Sequence, residues 1–413
     1  MNDVAQLAPQ PAHIPDAAVY DFDIFRDAAL LKDPHERVRQ ILREAPPIFW
    51  TRRNGGHWVA IGHDACFEVS RDWDKFTSGL VSPAMEARVA AMAVPGGKHI
   101  PRSVPITLDP PDHAKFRAPL AAPFGPKAIK ARTEEIRSLA ADLIDAVAPQ
   151  GHCEFVSTVA EQLPVQVFMK MMGLPLERFA EFRRLVHVVL GPGMMEPGES
   201  PRRMRMVADA IDDVILARKD DPKDDLISLL WKSEIDGEEM TLERMEDFGV
   251  LLFVAGLDTV INGIGFAVRH LAMNPDLQNQ LRADPSLIPE ASEEILRRYT
   301  FTVPPRRVAK DTEFMGWQMK ADERVLIYLA GADLDPTAFD APDQIEMNRE
   351  KAHIAFGVGP HRCLGSHLAR LELQVLYAEV LKRLPEFRLD PDAPATFHAG
   401  AIIAMDTLPL RWD

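Results

Sequence analysis

Phe356-Gly357-Val358-Gly359-Pro360-His361-Arg362-Cys363-Leu364-Gly365 is the stretch on which the reading of this sequence turns. Three glycines and a proline crowd one cysteine, and a helical pattern follows directly. Glycine permits a tight loop and lets a ligand approach the backbone closely. A cysteine at a helix start feels the positive end of the dipole and unpaired N–H groups, and His361 and Arg362 add positive charge beside it. Such surroundings favour the thiolate, the form that acts as nucleophile or metal ligand. Taken alone, the same string also describes a buried structural cysteine in a glycine-rich turn.

Working outward, Leu364, Leu368, Leu371, Val375 and Ala378 share one face of a last helix that begins near Leu364 and that Pro385 ends. Upstream, helical signals dominate from Asp112 to about Leu384. Pro111 opens a helix over DHAKFRAPLAAPF. EEIRSLAADLIDAVA and RMRMVADAIDDVILARK carry apolar residues at three-and-four spacing. Thr241 caps a long helix from about Leu242 past Val268. The most apolar part of that helix, Phe248 to Leu257, falls short of the about 20 residues of a membrane span, so it reads as a core helix. LIPEASEEILRRYT is a further helix. Asn54-Gly55 between IFWT and HWVAIG signals a β-hairpin, and TEFMGWQMKADERVLIYLA a strand pair around a polar turn. Residues 91–111 form a long Gly/Pro-rich loop of the kind that serves as a lid. The expectation is a mainly α protein: a flexible leader over 1–20, then one large helical domain over 21–413 with small β-sheets.

The chain has 413 residues, and 62 acidic against 47 basic side chains leave a net charge of −15. That balance argues against nucleic acid or an anionic membrane as the main partner. Cys66, Cys153 and Cys363 are widely spaced and odd in number, so neither a disulfide framework nor a CxxC metal pair follows. The polar, acidic N-terminus has no signal-peptide pattern, and the expected compartment is the cytoplasm.

The cysteine string fits Phe-Gly-x-Gly-x-His-x-Cys-x-Gly at every fixed position, and it resembles the haem-binding loop of the cytochrome P450 family. The resemblance implies the P450 fold and a haem b whose axial thiolate comes from Cys363, with Phe356, His361 and Gly365 around it. Three more constellations acquire a meaning beside it. Ala255-Gly256-Leu257-Asp258-Thr259 places small residues, an acid and a hydroxyl in an apolar helix. By itself this reads equally as close helix packing at Gly256 with a satisfied core acid. In the resembling family an acid–alcohol pair here lies above the haem and relays protons, which implies Asp258 and Thr259 as catalytic residues and Ala255 as a haem neighbour. Glu294-Ile295-Leu296-Arg297 pairs an acid and a base at i and i+3. The motif recurs from Glu36, Glu68, Glu134, Glu181, Glu199 and Glu346, but only the copy at Glu294 lies where the family has its own, with a structural role behind the haem. His113 and Arg117 share a helical face after Asp109-Pro110-Pro111, and the family pattern assigns His113, Arg117, Arg306 and His361 to the haem propionates.

The match runs from about Asp109 to the C-terminus. It looks closest to the soluble bacterial branch that includes the camphor hydroxylase, through LLFVAGLDTVINGIGF, PEASEEILRRYT and LPLRWD. Relatives that bind camphor anchor its ketone with a tyrosine before LDPP. That position falls near Pro101, no tyrosine stands between Tyr20 and Tyr299, and His99 is the nearest polar substitute. The pocket expected by resemblance comprises His99, Leu251, Val254, Ala255, Thr302, Val303 and Ile402, with 91–106 as the lid. The implied reaction is monooxygenation of a small apolar molecule, of terpenoid or norisoprenoid class, by dioxygen. Neither a dinucleotide fingerprint nor a four-cysteine cluster is present, so electrons are expected from a separate [2Fe–2S] ferredoxin and its NAD(P)H-dependent reductase. A patch of Lys115, Arg117, Arg362 and Arg71 is the expected dock, on a protein expected to be monomeric. The alternative is a peroxide-driven peroxygenase, which needs no proton relay for reductive activation.

Overall fold

A computed structural model describes residues 7–81, 98–191 and 199–413. The chain is about 51% helical with several small sheets, the mainly α architecture expected. Ile48–Thr51 (β1) and His57–Ala60 (β2) form the hairpin, Thr51 facing His57. Asn54, Gly55 and Gly56 turn it at φ 52°, 86° and 79°, the left-handed values that Asn and Gly tolerate. Phe76–Thr77 (β3), Pro305–Val308 (β4) and Arg324–Ile327 (β5) complete a five-stranded sheet in the order β1-β2-β5-β4-β3. The segment expected as one strand pair therefore divides. Thr312–Phe314 pairs with Trp317–Met319 around Met315-Gly316, whereas β5 joins the main sheet, parallel to β2 and antiparallel to β4.

The helices that position the site are His63–Arg71 (α1), Asp112–Ala121 (α2), Thr133–Val147 (α3), Gln162–Met172 (α4), Phe179–Leu190 (α5), Glu199–Asp220 (α6), Leu242–Gly256 (α7), Thr259–Met273 (α8), Ile288–Arg298 (α9) and Ser366–Arg383 (α10). Thr241 caps α7 as expected, its hydroxyl accepting the Arg244 N–H at 3.3 Å. The single long helix expected past Val268 is broken in two. Leu257 and Asp258 leave helical geometry, and Thr259 Oγ1 bonds back to the Ala255 carbonyl at 3.1 Å. The carbonyl freed at Leu257 accepts from Arg183 Nη1 at 2.5 Å. The combined run Leu242–Met273 is long and apolar enough to cross a membrane, but most of it is buried within the protein.

The leader expectation fails for residues 7–20; residues 1–6 lie outside those described. Ala8 exchanges backbone and side-chain bonds with Arg52, Tyr20 N–H donates to Trp50 O at 3.0 Å, and Ile14 and Ala18 are buried against the sheet. A few apolar side chains at fixed spacing suffice to pin an otherwise polar segment.

The last helix, α10, begins at Ser366 with Gly365 as its cap, two residues later than expected. It is also buried on more than one face, because α3, α8 and α9 all pack on it. Among its buried residues Glu372 has no hydrogen-bond partner on either carboxylate oxygen. Burial pushes its carboxyl up to about 8. Between its ordinary value and about 8 the folded chain therefore holds a proton that the unfolded chain has released, and stability falls as pH rises through that window. Glu372→Gln is expected to melt higher than the parent above about pH 5, the gap widening to about pH 8 and then levelling, on the order of 5 kcal/mol. Melting curves of both proteins across that range check it; parallel curves would remove the buried acid as a cost.

Candidate active site

The cysteine loop is built by its glycines. Gly357 and Gly359 stand at φ 67° and 75°, and a Cβ on Gly359 would lie 3.0 Å from the Ser70 carbonyl oxygen and 3.2 Å from Arg71 Cα. The loop is thus pressed on the end of α1. Cys363 N–H donates to Phe356 O at 2.8 Å and Gly357 N–H to Ile354 O at 2.7 Å, which sets Cys363 just ahead of α10. The thiol has a solvent-reachable side, yet protein hems the others, and this burial pushes its pKa up. The Gly365 N–H and the charges of Arg117, Arg370 and Arg362 pull it down without prevailing. The expectation that the helix start, with His361 and Arg362, favours the thiolate is therefore corrected: desolvation wins for the free side chain. A coordinating metal ion deprotonates a thiol outright and would reverse the balance.

Beside the cysteine four cationic or imidazole side chains converge from three distant segments. His113 on α2 and His361 in the loop lie with ring centroids 4.3 Å apart. Arg306 on β4 is buried, and burial pushes its guanidinium down to about 10. Burial and then the charges of Arg306, His113 and Arg117 push His361 down to about 3, while burial and Arg117 lower His113. Arg117 Nη2 donates to the Arg362 carbonyl at 2.6 Å. The nearby carboxylate, Asp109, is taken up by the Thr77 hydroxyl and by Ser78 N–H at 2.9 Å, and Ser78 Oγ lies 2.9 Å from His361 Nε2. His113 Nε2 is buried with no partner. The donor set therefore fits a dianionic group such as the two propionates of a haem. Ala255 fits as well: it is exposed on α7 although Leu252, Phe253 and Leu257 around it are buried.

At the break between α7 and α8, Asp258 is largely buried, and burial pushes its carboxyl up against the pull of Arg183, His187 and His398. Arg183 on α5 lies 3.5 Å from Asp258 Oδ1 and 3.1 Å from Glu161 Oε2. Asn262 Nδ2 holds the Asp258 carbonyl at 3.1 Å. A Cβ on Gly256 would lie 2.3 Å from the Phe168 ring of α4, so the close-packing account of that glycine holds. Arg183 was not singled out in the sequence, and no local pattern marks it.

Glu294 and Arg297 meet through Nε–Oε1 at 2.8 Å and Nη2–Oε2 at 3.0 Å, and Arg349 Nε joins at 3.1 Å. Of the expected pocket residues, Thr302 and Ile402 face each other across a β-bridge, and Val303 N–H donates to Ala401 O at 3.2 Å. Leu251 and Val254 are half-buried on α7. His99 is committed elsewhere: its Nε2 lies 2.8 Å from Asp247 Oδ1, which also accepts the Arg102 N–H, so His99 is no free substitute for a substrate-anchoring hydroxyl. Residues 91–97 of the expected lid lie outside the described residues. In the basic patch Lys115 is bound to Asp236 at 2.8 Å and Asp112 at 3.1 Å, while Arg71 and Arg362 are exposed. Among the described residues no group of three or more His, Cys, Asp or Glu side chains could hold a metal ion.

Comparison with known proteins gives these features a context. The family model described as cytochrome P450 matches residues 201–409. "Probable cytochrome P450 127A1" of Sinorhizobium fredii is 32% identical, over 98% of this chain and 97% of its own. "Steroid C26-monooxygenase" of Mycolicibacterium smegmatis is 31% identical, over 89% and 90%. The crystal structure of CYP101J2 superposes with a TM-score of 0.86 at 34% identity, covering 98% of this chain and all of the other; that of CYP101C1 gives 0.85 at 31%, with the same coverage.

Proposed function

The chain belongs to the cytochrome P450 family, monooxygenases that carry haem b on a cysteine thiolate, and from that premise we propose that Cys363 is the thiolate and that the protein hydroxylates a small apolar molecule. The observation that carries the reading is the convergence of His113, Arg117, Arg306 and His361 beside Cys363, an anion-binding array next to a metal-binding sulfur.

When bound, the haem supplies the binding and reductive activation of dioxygen, and the thiolate favours O–O cleavage. The chain supplies position and protons. Arg117 and Arg306 would offset the charge of the propionates, and the His113 and His361 rings beside them would add polar contacts that orient the group. Asp258, its carboxyl raised by burial, takes a proton from the solvent side through the Arg183 network and passes it inward. Thr259 turns its hydroxyl from the Ala255 carbonyl to hold a water in line with Asp258. Leu251, Val254 and Ile402, half-buried beside Thr302 and the buried Val303, would offer apolar surface that excludes bulk water. Pro101 offers no hydrogen-bond donor where the camphor-type anchor would be, so selection by shape, toward the terpenoid or norisoprenoid class, is the reading we favour. The Asp258–Thr259 pair supports reductive rather than peroxide-driven turnover. A [2Fe–2S] ferredoxin is the electron donor we propose, docking on Arg71 and Arg362 beside the loop.

A binding screen read by the haem spin-state change tests the substrate class: terpenoids and norisoprenoids are expected to bind, and a response confined to steroids would redirect the reading to larger molecules. Arg71→Glu with Arg362→Glu is expected to slow electron transfer from ferredoxin about tenfold and flatten its salt dependence, with haem content retained. Unchanged rates would remove that dock.

A further inference from the structure

Behind the cysteine loop lies a charged cluster that the chemistry above leaves unused. Arg370, on α10, donates through Nε and Nη2 to both carboxylate oxygens of Glu293, at 2.7 and 2.8 Å. A fork-on-fork pair fixes orientation as well as charge. The same guanidinium lies over the Phe356 ring, its carbon 4.5 Å from the centroid. Glu293 Oε2 is also 3.1 Å from His353 Nε2, and His353 Nδ1 accepts the Ala355 N–H at 3.1 Å. That second bond assigns the ring proton to Nε2, which therefore donates to Glu293. Burial opposes ionisation of Glu293, but His353 and Arg370 outweigh it and hold the carboxyl down at about 2. Glu293 on α9, itself held by His353, thus fixes the Arg370 guanidinium of α10 over one aromatic ring. The backbone of that ring is bonded to the cysteine itself, through Cys363 N–H to Phe356 O at 2.8 Å.

We propose that Glu293 and His353 are positioning residues that lock the Arg370 guanidinium over Phe356, and that this fixed charge raises the one-electron reduction potential of the haem held by Cys363. The inference rests on the reading of Cys363 as haem ligand. On reduction the ferric haem gains one electron from the reductant, which is oxidised by one electron, and no bond forms or breaks. A positive charge held on the ring that bonds the cysteine backbone stabilises the added negative charge, more so because the pair and the stack keep it from swinging into water.

The test is a reductive titration of the haem-loaded, substrate-free protein with dithionite and mediator dyes. Arg370→Gln is expected to lower the equilibrium constant for reduction about tenfold, about 59 mV for a one-electron couple. Arg370→Lys, which keeps charge but loses fork and stack, is expected to fall between. Glu293→Ala discriminates by sign. Loss of a negative charge alone would raise the potential, whereas release of the guanidinium into solvent lowers it, and a lower value is expected. An unchanged potential in Arg370→Gln, or a raised one in Glu293→Ala, would overturn the proposal. If Arg370→Gln fails to retain haem, Arg370→Lys and Glu293→Ala decide it alone. The ferrous–carbon monoxide spectrum is recorded for each protein. A thiolate-type band with unaltered potentials sinks only this inference; its absence from the parent sinks the ligand assignment.

Discussion

Arg297→Leu is expected to yield little folded protein, and what folds is expected to melt far below the parent and hold little haem. Arg297 is fully buried and makes five hydrogen bonds: two to Glu294, and others to the carbonyls of Asp333 (2.9 Å), Pro342 (2.8 Å) and Gln344 (2.7 Å). Leucine fills part of the volume but satisfies none of them. Breaking a buried pair from one side costs about 3–5 kcal/mol. Each stranded carbonyl adds about 1–3 kcal/mol unless water reaches it. Together these rival the whole of an ordinary stability of about 5–15 kcal/mol. The Asp333–Gln344 segment leads into the cysteine loop, so its release also loosens the haem side. Thermal melting with haem content measured in parallel checks this; a variant melting within a few degrees of the parent would show that the ion pair is dispensable.

Asp258→Asn is expected to slow coupled turnover by about tenfold to a hundredfold while leaving haem content and melting temperature near those of the parent. The helix break survives in this variant, because Arg183 holds the Leu257 carbonyl and Asn262 the Asp258 carbonyl, and neither bond needs the carboxylate. What is lost is the exchangeable proton of a carboxyl kept high by burial. Thr259→Ala is expected to behave differently: oxygen uptake continues, but product falls and hydrogen peroxide rises, because protons arrive without the hydroxyl that directs them. Product, oxygen and peroxide measured together separate the two outcomes. Coupled turnover at the parent's rate in both variants would withdraw the relay.

The two features most legible in the sequence rest on local spacing. The loop around Cys363 and the Glu294–Arg297 pair are each written within a few residues, and a tight turn or one helical turn makes such neighbours touch. The rest of the site is assembled across the chain. His113 meets His361, and Arg183 meets Asp258, only because helices and strands far apart in sequence are packed together. Arg349 illustrates the limit: it belongs to one of the Glu-x-x-Arg copies set aside, yet it reaches Glu294 at 3.1 Å. His99 illustrates the converse, since its place in sequence suggested a pocket group, but Asp247 on the neighbouring helix claims it. The break after Gly256 was hidden because apolar residues resume at Val260 and Ile261 beyond Asp258 and Thr259, and the packing of residues 7–20 by a polar composition that says nothing of Ile14 and Ala18 meeting a sheet.

The account stands on the bond between the Cys363 sulfur and iron, and carbon monoxide reports on it directly. Haem-loaded protein, reduced and exposed to the gas, is predicted to show the strongly red-shifted Soret band of a thiolate-ligated haem, and Cys363→Ser to lose it. A band at the position typical of histidine ligation in the parent, or an unchanged thiolate band in Cys363→Ser, would contradict the assignment.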